Sequence, residues 1–346
     1  MTSKSHGLVR VCLVGTGRAG MVHARNFRAR VPDASLVAIV DPNLSAASQA
    51  AADLEVDTVF DNLDTALSAT DFDAVCIGAP TFAHADITVK AAKAGKHILC
   101  EKPMAVTLEE CDEMIAAASE FGVVLQVGFM RRFDEDFVAA KQALERGDIG
   151  RPVLVKSLTR GPGLPAPWYF NIQKSNGLLA EVNSHDFDTL HWFMERNIDS
   201  VYAVAGNFKC HELKPDYPEF YDYATVSVMF DDGRMGFIDG GCPVDYGYDS
   251  RLEVVGTEGV IFAGKMNEES ITVCSKANGV VQPISSSWRR KFKDAYLNEA
   301  MHFVDCIKGK HKPAVGGEDG KKALMAVLAS NLSIRERRPV ALRELI

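Results

Sequence analysis

The stretch Gly15–Gly20 reads Gly-Thr-Gly-Arg-Ala-Gly and directly follows the apolar run Val9–Val14. Glycines with this spacing permit a tight turn between a strand and a helix and let the helix pack closely on the sheet. The residues that follow, Ala19–Arg30, have the length and composition of that helix. The stretch therefore predicts the first strand, turn and helix of an α/β domain with a parallel sheet.

The same rhythm of short apolar runs and longer amphipathic stretches continues to about Met130. Runs rich in Val, Ile and Leu are typical of strands that are buried on both faces of a parallel sheet. The predicted strands are Val9–Val14, Leu36–Val40, Asp57–Phe60, Ala74–Ile77, His97–Cys100 and Val123–Val127. The predicted helices are Ala19–Arg30, Ser45–Leu54, Phe82–Ala94 and Leu108–Phe121, with C-terminal caps at Gly95 and Gly122. Residues 1–129 are therefore predicted to form a doubly wound α/β domain.

After Arg131 the predicted strands follow one another instead of alternating with helices. Ala224–Phe230 alternates in its side chains with a period of two, which indicates a strand with one covered face. Further strands are predicted at Val153–Leu158, Val201–Phe208, Arg234–Asp239, Leu252–Val255 and Ile271–Cys274, and helices up to Arg146 and at His185–Arg196, Asp294–Lys308 and Lys321–Arg335. Residues 130–346 are predicted to form an α+β domain with a mostly antiparallel sheet, and a cleft between two such domains is the expected place for a ligand.

The composition is that of an ordinary soluble globular protein, with 346 residues of which 47% are hydrophobic and 24% charged. A net charge of -8 disfavours nucleic acid and anionic membranes as partners. The eight cysteines occur singly without a CxxC pair, and no apolar run is long enough to span a membrane. We therefore expect a cytoplasmic protein. No clustered cysteines, HExxH or carboxylate-rich loop is present, so no metal is expected.

The glycine turn also predicts a cofactor. The first helix offers unpaired N–H groups to a pyrophosphate, and the expected contacts are Gly15, Gly17, Arg18, Ala19 and Gly20. Asp41 ends the second predicted strand, where a carboxylate accepts the two hydroxyls of an adenosine ribose. Because the same charge repels a 2′-phosphate, we expect NAD rather than NADP, although Arg18 could also assist an NADP phosphate.

Three further segments indicate a family. They are Ala79-Pro80-Thr81 with His84, Cys100-Glu101-Lys102-Pro103, and Gly128-Phe129-Met130-Arg131-Arg132-Phe133-Asp134. Together with the glycine turn they resemble the glucose-fructose oxidoreductase, inositol dehydrogenase and MocA (Gfo/Idh/MocA) family, over nearly the whole chain. Within that family the chain looks most like inositol 2-dehydrogenases, on the segments Gly128–Asp134, Asp148–Pro152, Asp245–Asp249 with Glu253–Gly256, and Trp288–Phe292 with Ala295-Tyr296.

The resemblance implies a Rossmann domain with a bound nicotinamide cofactor, followed by a large open-faced sheet that often serves as an oligomer interface. We therefore expect a homo-oligomer of two or four subunits. The catalytic lysine of the family's Glu-Lys-Pro motif matches Lys102. An Asp and a His spaced by four residues on a helix of the second domain match Glu181 and His185.

The remaining site residues also follow from the resemblance. Pro80, Thr81, His84, Glu101 and Lys102 would contact the cofactor, although His84 could instead cap or pack the helix that it begins. Arg131, Thr159 and Tyr248 occupy positions that contact the polyol in inositol dehydrogenases, and each could equally be structural. The bond before Pro103 is expected to be cis, as in relatives.

These residues fit the chemistry of alcohol oxidation. The reaction needs a base for the hydroxyl proton and a group that stabilises the developing alkoxide. His185 would be the base, because the ordinary pKa of histidine is about 6.5. Lys102 would hold the oxygen, and Glu181 would orient the imidazole from the same face of one helix. The predicted reaction is NAD-dependent oxidation of a ring hydroxyl of a cyclic polyol or sugar, with myo-inositol or scyllo-inositol as the first choice.

Two departures from the family pattern leave the substrate open. The acid is Glu181 instead of Asp, and Thr159 stands where inositol dehydrogenases tend to carry a histidine. An alternative substrate is a glucoside oxidised at C3, with the Pro-rich stretch Gly161–Trp168 forming the wall of a larger site. A non-enzymatic alternative is a dinucleotide-binding regulator, against which the retained Lys102 and His185 argue.

Overall fold

The computed structural model describes residues 7–164, 166–267 and 271–346. The chain forms two compact units. The first comprises the residues up to Phe133 together with Asp294–Lys321, and the second comprises Asp134–Lys293 and Lys322–Ile346. The first unit is therefore discontinuous in sequence, because a segment that follows the second sheet belongs to it. Pro165, within the Pro-rich stretch named above, lies outside the described residues.

The first unit is built on a parallel sheet of six strands. These strands are β1 (Val9–Val14), β2 (Ala34–Val40), β3 (Val59–Phe60), β4 (Ala74–Ile77), β5 (His97–Glu101) and β6 (Leu125–Gly128). Their order is β3-β2-β1-β4-β5-β6, and each neighbouring pair is parallel. The strand order reverses between β1 and β4, and a doubly wound sheet binds its ligand at the carboxyl ends of the strands at such a point. The predicted doubly wound class is confirmed.

Five helices connect these strands. They are α1 (Gly20–Ala29), α2 (Leu44–Leu54), α3 (Leu63–Ala69), α4 (His84–Lys93) and α5 (Leu108–Glu120). The predicted caps Gly95 and Gly122 have φ of 70° and 63°, in the left-handed region that favours glycine. The sequence did not predict α3, because its seven residues are too few to show a helical period.

The second unit is built on a sheet of seven strands. Its elements in chain order are α6 (Glu135–Glu145), β7 (Pro152–Arg160), α7 (Ile172–Ser175), α8 (Gly177–Glu181), α9 (Ser184–Met194), β8 (Ile198–Gly206), β9 (Tyr223–Phe230), β10 (Met235–Gly241), β11 (Asp249–Gly256), β12 (Val260–Ala263), β13 (Val273–Ser275), β14 (Gly279–Val281) and α10 (Trp288–Lys291). The chain ends with α11 (Lys293–Ile307), α12 (Gly317–Glu336) and β15 (Val340–Ala341). The sheet order is β12-β11-β7-β10-β9-β8-β15, while β13 and β14 form a separate hairpin.

The seven-stranded sheet is mostly antiparallel, as predicted, with one parallel pairing between β7 and β10. Its two faces differ in burial because successive side chains point to opposite sides. In β9 one side carries the buried residues Val226 and Val228, whereas Met229 on the other side is exposed. The exposed side also carries the large apolar residues Tyr202 and Val204.

The core of the first unit includes residues from both ends of the chain. Apolar side chains of β1, β2, α1 and α2 form one buried cluster with Ala300, Phe303 and Val304 of α11. These three residues lie three or four positions apart, so they share one face of the helix. The segment Asp294–Lys321 therefore completes the core of the glycine-turn sheet.

Candidate functional site

The glycine turn links β1 to α1 and packs against the loop after β4. Gly15 has φ of +97°, and a Cβ there would lie 2.6 Å from the Ala79 nitrogen. At Gly20 a Cβ would lie 2.0 Å from the carbonyl oxygen of Gly15. Both positions therefore require glycine because of the turn itself, as the motif predicts.

Gly17 differs from its two neighbours because its surroundings are open. Within 4 Å, a Cβ there would meet only the carbonyl oxygen of Gly78 among the described residues, at an ordinary contact distance of 3.6 Å. Arg18 is exposed, and Ala19 precedes α1 without a side-chain cap. Gly17 thus lies beside open space just before α1, and this arrangement fits the pyrophosphate of a dinucleotide.

Asp41 follows β2 and binds the glycine turn. Its Oδ2 accepts hydrogen bonds from the Thr16 N–H at 2.8 Å and from the Thr16 hydroxyl at 2.7 Å, and its Oδ1 accepts the Asn43 N–H at 2.9 Å. The carboxylate is thereby fixed at the carboxyl end of the sheet. Because two carboxylate oxygens offer about four acceptor positions, one position remains for a ribose hydroxyl.

The loop after β4 carries Pro80, Thr81 and His84. Thr81 is buried at the start of a short 3₁₀ turn, and His84 is buried as the first residue of α4. The two ring nitrogens of His84 lie 2.9 Å from the carbonyl oxygens of Ala79 and Pro103. His84 thus ties the loop after β4 to the segment that follows Lys102, which agrees with the packing role considered for it.

Lys102 directly follows β5 and is partly exposed. The Lys102–Pro103 peptide is cis, as predicted. The Lys102 N–H donates to Oε2 of Glu101 at 3.2 Å, while Glu101 itself is 4% exposed. The carboxylate predicted to contact the cofactor is therefore engaged with the backbone of the proposed catalytic lysine.

The second unit places Glu181 and His185 on different helices, so the prediction of one helix is wrong. Glu181 is the last residue of α8, and His185 is the second residue of α9. The Asn183 N–H turns back to the Leu178 carbonyl at 3.2 Å, which ends the first helix. Gly240 of β10 leaves room for this corner, because a Cβ there would lie 2.1 Å from the Asn183 side-chain oxygen.

Asp186, next to His185, is a buried carboxylate that the sequence reasoning did not single out. It accepts hydrogen bonds from Ser157 Oγ at 2.5 Å, Thr159 Oγ1 at 2.6 Å and Asn183 Nδ2 at 2.7 Å. Ser157 and Thr159 are alternate residues of β7 and so point to the same face. The first turn of α9 is therefore fixed to β7 directly beside His185.

The other predicted substrate residues are buried. Thr159 donates to Asp186, as described, and Tyr248 packs edge-to-face on Phe292 with ring centroids 6.1 Å apart. Arg131 lies in a 3₁₀ turn after β6 and is fully buried. The structure brings Thr159 close to His185 through Asp186, and the substrate contacts of Arg131, Thr159 and Tyr248 stay predictions.

The described residues contain neither a metal-binding cluster nor a membrane-spanning helix. We found no group of three or more His, Cys, Asp or Glu side chains arranged to hold a metal ion. Among the same residues, every helix is too short or too polar to cross a membrane.

Comparison with known proteins identifies the two parts of the chain separately. Residues 9–129 match the model of an oxidoreductase family with an NAD-binding Rossmann fold, and residues 137–262 match the Gfo/Idh/MocA C-terminal domain. The scyllo-inositol 2-dehydrogenase (NAD(+)) of Bacillus subtilis is 35% identical over 96% of either chain. The myo-inositol 2-dehydrogenase of Thermotoga maritima is 32% identical over 98% of this chain and 100% of its own.

Solved structures agree with these relatives. A probable dehydrogenase from Thermotoga maritima superposes with a TM-score of 0.91 at 32% identity, covering 98% of this chain and 100% of that one. The scyllo-inositol dehydrogenase of Lactobacillus casei, with bound NAD(H) and scyllo-inositol, gives a TM-score of 0.89 at 25% identity, covering 97% and 99%. The predicted family and the predicted cofactor, NAD, are confirmed. The chain belongs to the Gfo/Idh/MocA family of oxidoreductases, and its first unit is the NAD-binding Rossmann domain of that family.

Proposed function

We propose that this protein oxidises a ring hydroxyl of a cyclic polyol to the ketone, with myo-inositol or scyllo-inositol as substrate and NAD as oxidant. The observation that carries the proposal is Lys102, held at the end of β5 by the Glu101 carboxylate within an NAD-binding unit. The inositol 2-dehydrogenases that resemble the chain over nearly its full length support the choice of substrate.

The roles of the residues follow from the needs of the reaction. When bound, NAD accepts the hydride from the ring carbon. Lys102 donates to the hydroxyl oxygen and stabilises the negative charge that develops there. His185 takes the hydroxyl proton as the general base, the role that histidine fills most often among side chains. Glu181 assists His185 as its carboxylate partner. Gly15, Gly17, Arg18, Ala19, Gly20, Asp41, Pro80 and Thr81 bind the cofactor, and His84 holds the loop that carries Pro80 and Thr81.

The three hydrogen bonds to Asp186, here called the Asp186 clamp, support the assignment of His185 as the general base. A general base must keep a fixed direction toward the proton that it removes. His185 is the second residue of α9, and the three hydrogen bonds to Asp186 fix that turn to β7. Thr159 would therefore act on the substrate site through Asp186 as well as through any direct contact with the polyol.

The test is NADH formation by the purified protein with myo-inositol, scyllo-inositol, glucose and several glucosides, each with NAD and with NADP. Turnover of an inositol with NAD is expected, together with its loss in Lys102→Ala. The matched control is Lys93→Ala, which removes an exposed lysine of α4 and should retain turnover. Turnover of a glucoside alone would replace inositol by the glycoside alternative. NAD binding without any turnover would favour the regulator.

We also propose that the protein is a cytoplasmic homo-oligomer of two or four subunits. The exposed apolar side chains on one face of the seven-stranded sheet support an interface there, namely Tyr202, Val204, Met229, Met235 and Phe262. A patch of this kind on a protein surface is typical of an interaction site. The eight free thiols, seven of them buried, suit a reducing compartment.

A further inference from the structure

Glu101, which holds Lys102 in the proposed function, belongs to a buried group of titratable side chains in the first unit, and the proposed reaction does not use the other two members, His23 and Glu299. Glu101 at the end of β5 and His23 on α1 are joined by a 2.8 Å contact between Oε1 and Nε2. His23 is 0% exposed. The other oxygen of Glu101 accepts the Lys102 N–H at 3.2 Å. One carboxylate thus connects the helix that follows the glycine turn to the backbone of Lys102.

The surroundings of Glu101 are shaped to accept its side chain. Gly128 of β6 pairs in register with Glu101, and a Cβ at Gly128 would lie 3.3 Å from the carboxyl carbon. That contact is tighter than most side chains tolerate, so the absence of a side chain at Gly128 gives the carboxylate its space. The ring of Tyr296 on α11 packs edge-to-face on the His23 ring with centroids 5.3 Å apart, and this contact helps to hold the imidazole.

Glu299 is a second buried acid beside this pair. It is 0% exposed, and neither of its carboxyl oxygens has a hydrogen-bond partner among the described residues. Burial and the nearby charge of Glu101 raise the pKa of Glu299 well above its usual value. Burial would also raise the pKa of Glu101, but the hydrogen bond and charge of His23 outweigh it and hold that pKa below its usual value. The two acids therefore differ in protonation, with Glu101 ionised and Glu299 neutral.

The other titratable groups around Glu101 have pKa values that are shifted toward their uncharged forms. Burial raises the pKa of the Cys76 and Cys100 thiols, so both stay neutral near pH 7. Burial lowers the pKa of His84, whose ring is held between two carbonyl oxygens. The attraction between the charges of Glu101 and Lys102 contributes to the low pKa of Glu101. Among these groups, Glu101 is thus the ionised carboxylate in contact with Lys102.

We propose that His23 and Glu101 are positioning residues for Lys102, in which Glu101, anchored by His23, fixes the backbone of the lysine at the end of β5. This inference rests on the proposed function for its catalytic consequence, though not for its structural content. His23 and Glu101 touch neither the substrate nor the reacting atoms in this proposal. They act through Lys102, and Glu299 supports them by remaining neutral, so that Glu101 is the one ionised acid of the group.

The first experiment measures kinetics for Glu101→Gln and His23→Leu. Both variants should lower kcat about tenfold or more, in line with losing the orientation of one catalytic group, while KM for the polyol changes less than about threefold. His23→Gln, which retains a donor near the position of Nε2, should recover part of the loss.

The second experiment does not need turnover. The rate at which an amine-acylating reagent modifies Lys102 is followed by mass spectrometry at one fixed pH, with Asp73→Asn as the matched control because it removes an ion pair to Arg10 elsewhere in the same unit. Lys102 should be acylated about threefold faster or more in Glu101→Gln, because its backbone is no longer held, and at the wild-type rate in Asp73→Asn. Equal acylation rates of Lys102 in wild type, Glu101→Gln and His23→Leu would overturn the inference. A wild-type protein without polyol turnover would instead refute the proposed function and leave the labelling result decisive.

Discussion

At the residue scale, the three glycines of the turn have separable roles. Gly20 is closed in by the Gly15 carbonyl, whereas Gly17 faces open space. We predict that Gly17→Ala leaves the melting temperature close to wild type but weakens NAD binding about tenfold or more, because the added methyl occupies the space that the pyrophosphate needs. Gly20→Ala should instead lower the melting temperature. Calorimetric titration with NAD and thermal unfolding of both variants provide the check. Equal NAD affinity in Gly17→Ala and wild type would show that the turn is not the phosphate site.

Thr16 is a second residue whose role can be isolated. Its hydroxyl donates to Asp41 Oδ2 at 2.7 Å, so it orients the carboxylate that is proposed to hold the ribose. A hydrogen bond to a charged group contributes about 1.5 to 3 kcal/mol, so Thr16→Val should weaken NAD binding by about tenfold or more, with little effect on kcat. Thr70→Val at the end of α3 is the matched control. Unchanged NAD affinity in Thr16→Val would mean that Asp41 is positioned by the backbone alone.

Glu299 gives a prediction for the pH dependence of stability. Because its pKa is raised in the folded protein, folding at neutral pH requires it to take up a proton, and the free energy of unfolding falls as pH rises above about 4.3, the usual pKa of Glu. Glu299→Gln removes this requirement. The variant should therefore match wild type below that pH and become progressively more stable than wild type toward neutral pH. Urea unfolding at several pH values measures the difference, and a constant offset across pH would contradict the neutral acid.

The sequence could predict functional roles for residues that lie in a local motif. Lys102 was predicted from the Glu-Lys-Pro motif and Asp41 from its position after the second strand. Asp186 and Glu299 were missed because a buried acid looks like any other charged residue until the fold shows what surrounds it. Asp186 had one signal, the pair of small hydroxyl residues Ser157 and Thr159 on one face of a strand, but nothing in the sequence linked that strand to α9.

At the element scale, the corner between α8 and α9 determines where His185 stands. The spacing of four residues predicted a single helix. Two helices form instead, and they are separated at Asn183, whose side chain lies against Gly240. Regular elements were easier to predict: β1 and β4 have the bounds expected from their apolar runs. The short elements α3 and β12 were missed because, unlike β4, neither is a run of buried apolar residues: α3 has only two buried positions and β12 has one.

The contribution of the Asp186 clamp to stability can be tested without measuring activity. Asp186→Asn keeps the shape of the side chain but replaces a charged acceptor of three hydrogen bonds by an amide. We expect it to lower the free energy of unfolding by about 2 kcal/mol, since hydrogen bonds to charged groups are among the stronger ones. Ser157→Ala removes one of the three donors and should cost about 1 kcal/mol. Asp199→Asn, an exposed change on β8, is the control. A loss in Asp186→Asn no larger than in this control would argue against the clamp.

At the scale of the whole molecule, the exposed face of the seven-stranded sheet predicts association. Val204 lies on that face and is 54% exposed. Val204→Asp should shift the protein toward smaller species in sedimentation velocity, because an unpaired charge in an apolar interface is strongly unfavourable. Val280→Asp places the same charge on the separate β13–β14 hairpin, and it should sediment like wild type. If Val204→Asp also sediments like wild type, the subunits do not associate through this face.

The discontinuous first unit limits how the gene can be divided. A fragment that stops at Phe133 contains every strand of the nucleotide-binding sheet but lacks Phe303 and its neighbours on α11, which fill part of its core. Such a fragment would expose that apolar surface to water, whereas a chimera that also carries Asp294–Lys321 would keep it covered. Recombination between relatives at a single crossover would consequently exchange the strands without the helix that evolved to pack on them. A functional graft of the cofactor half therefore needs two crossovers, one on each side of the inserted sheet.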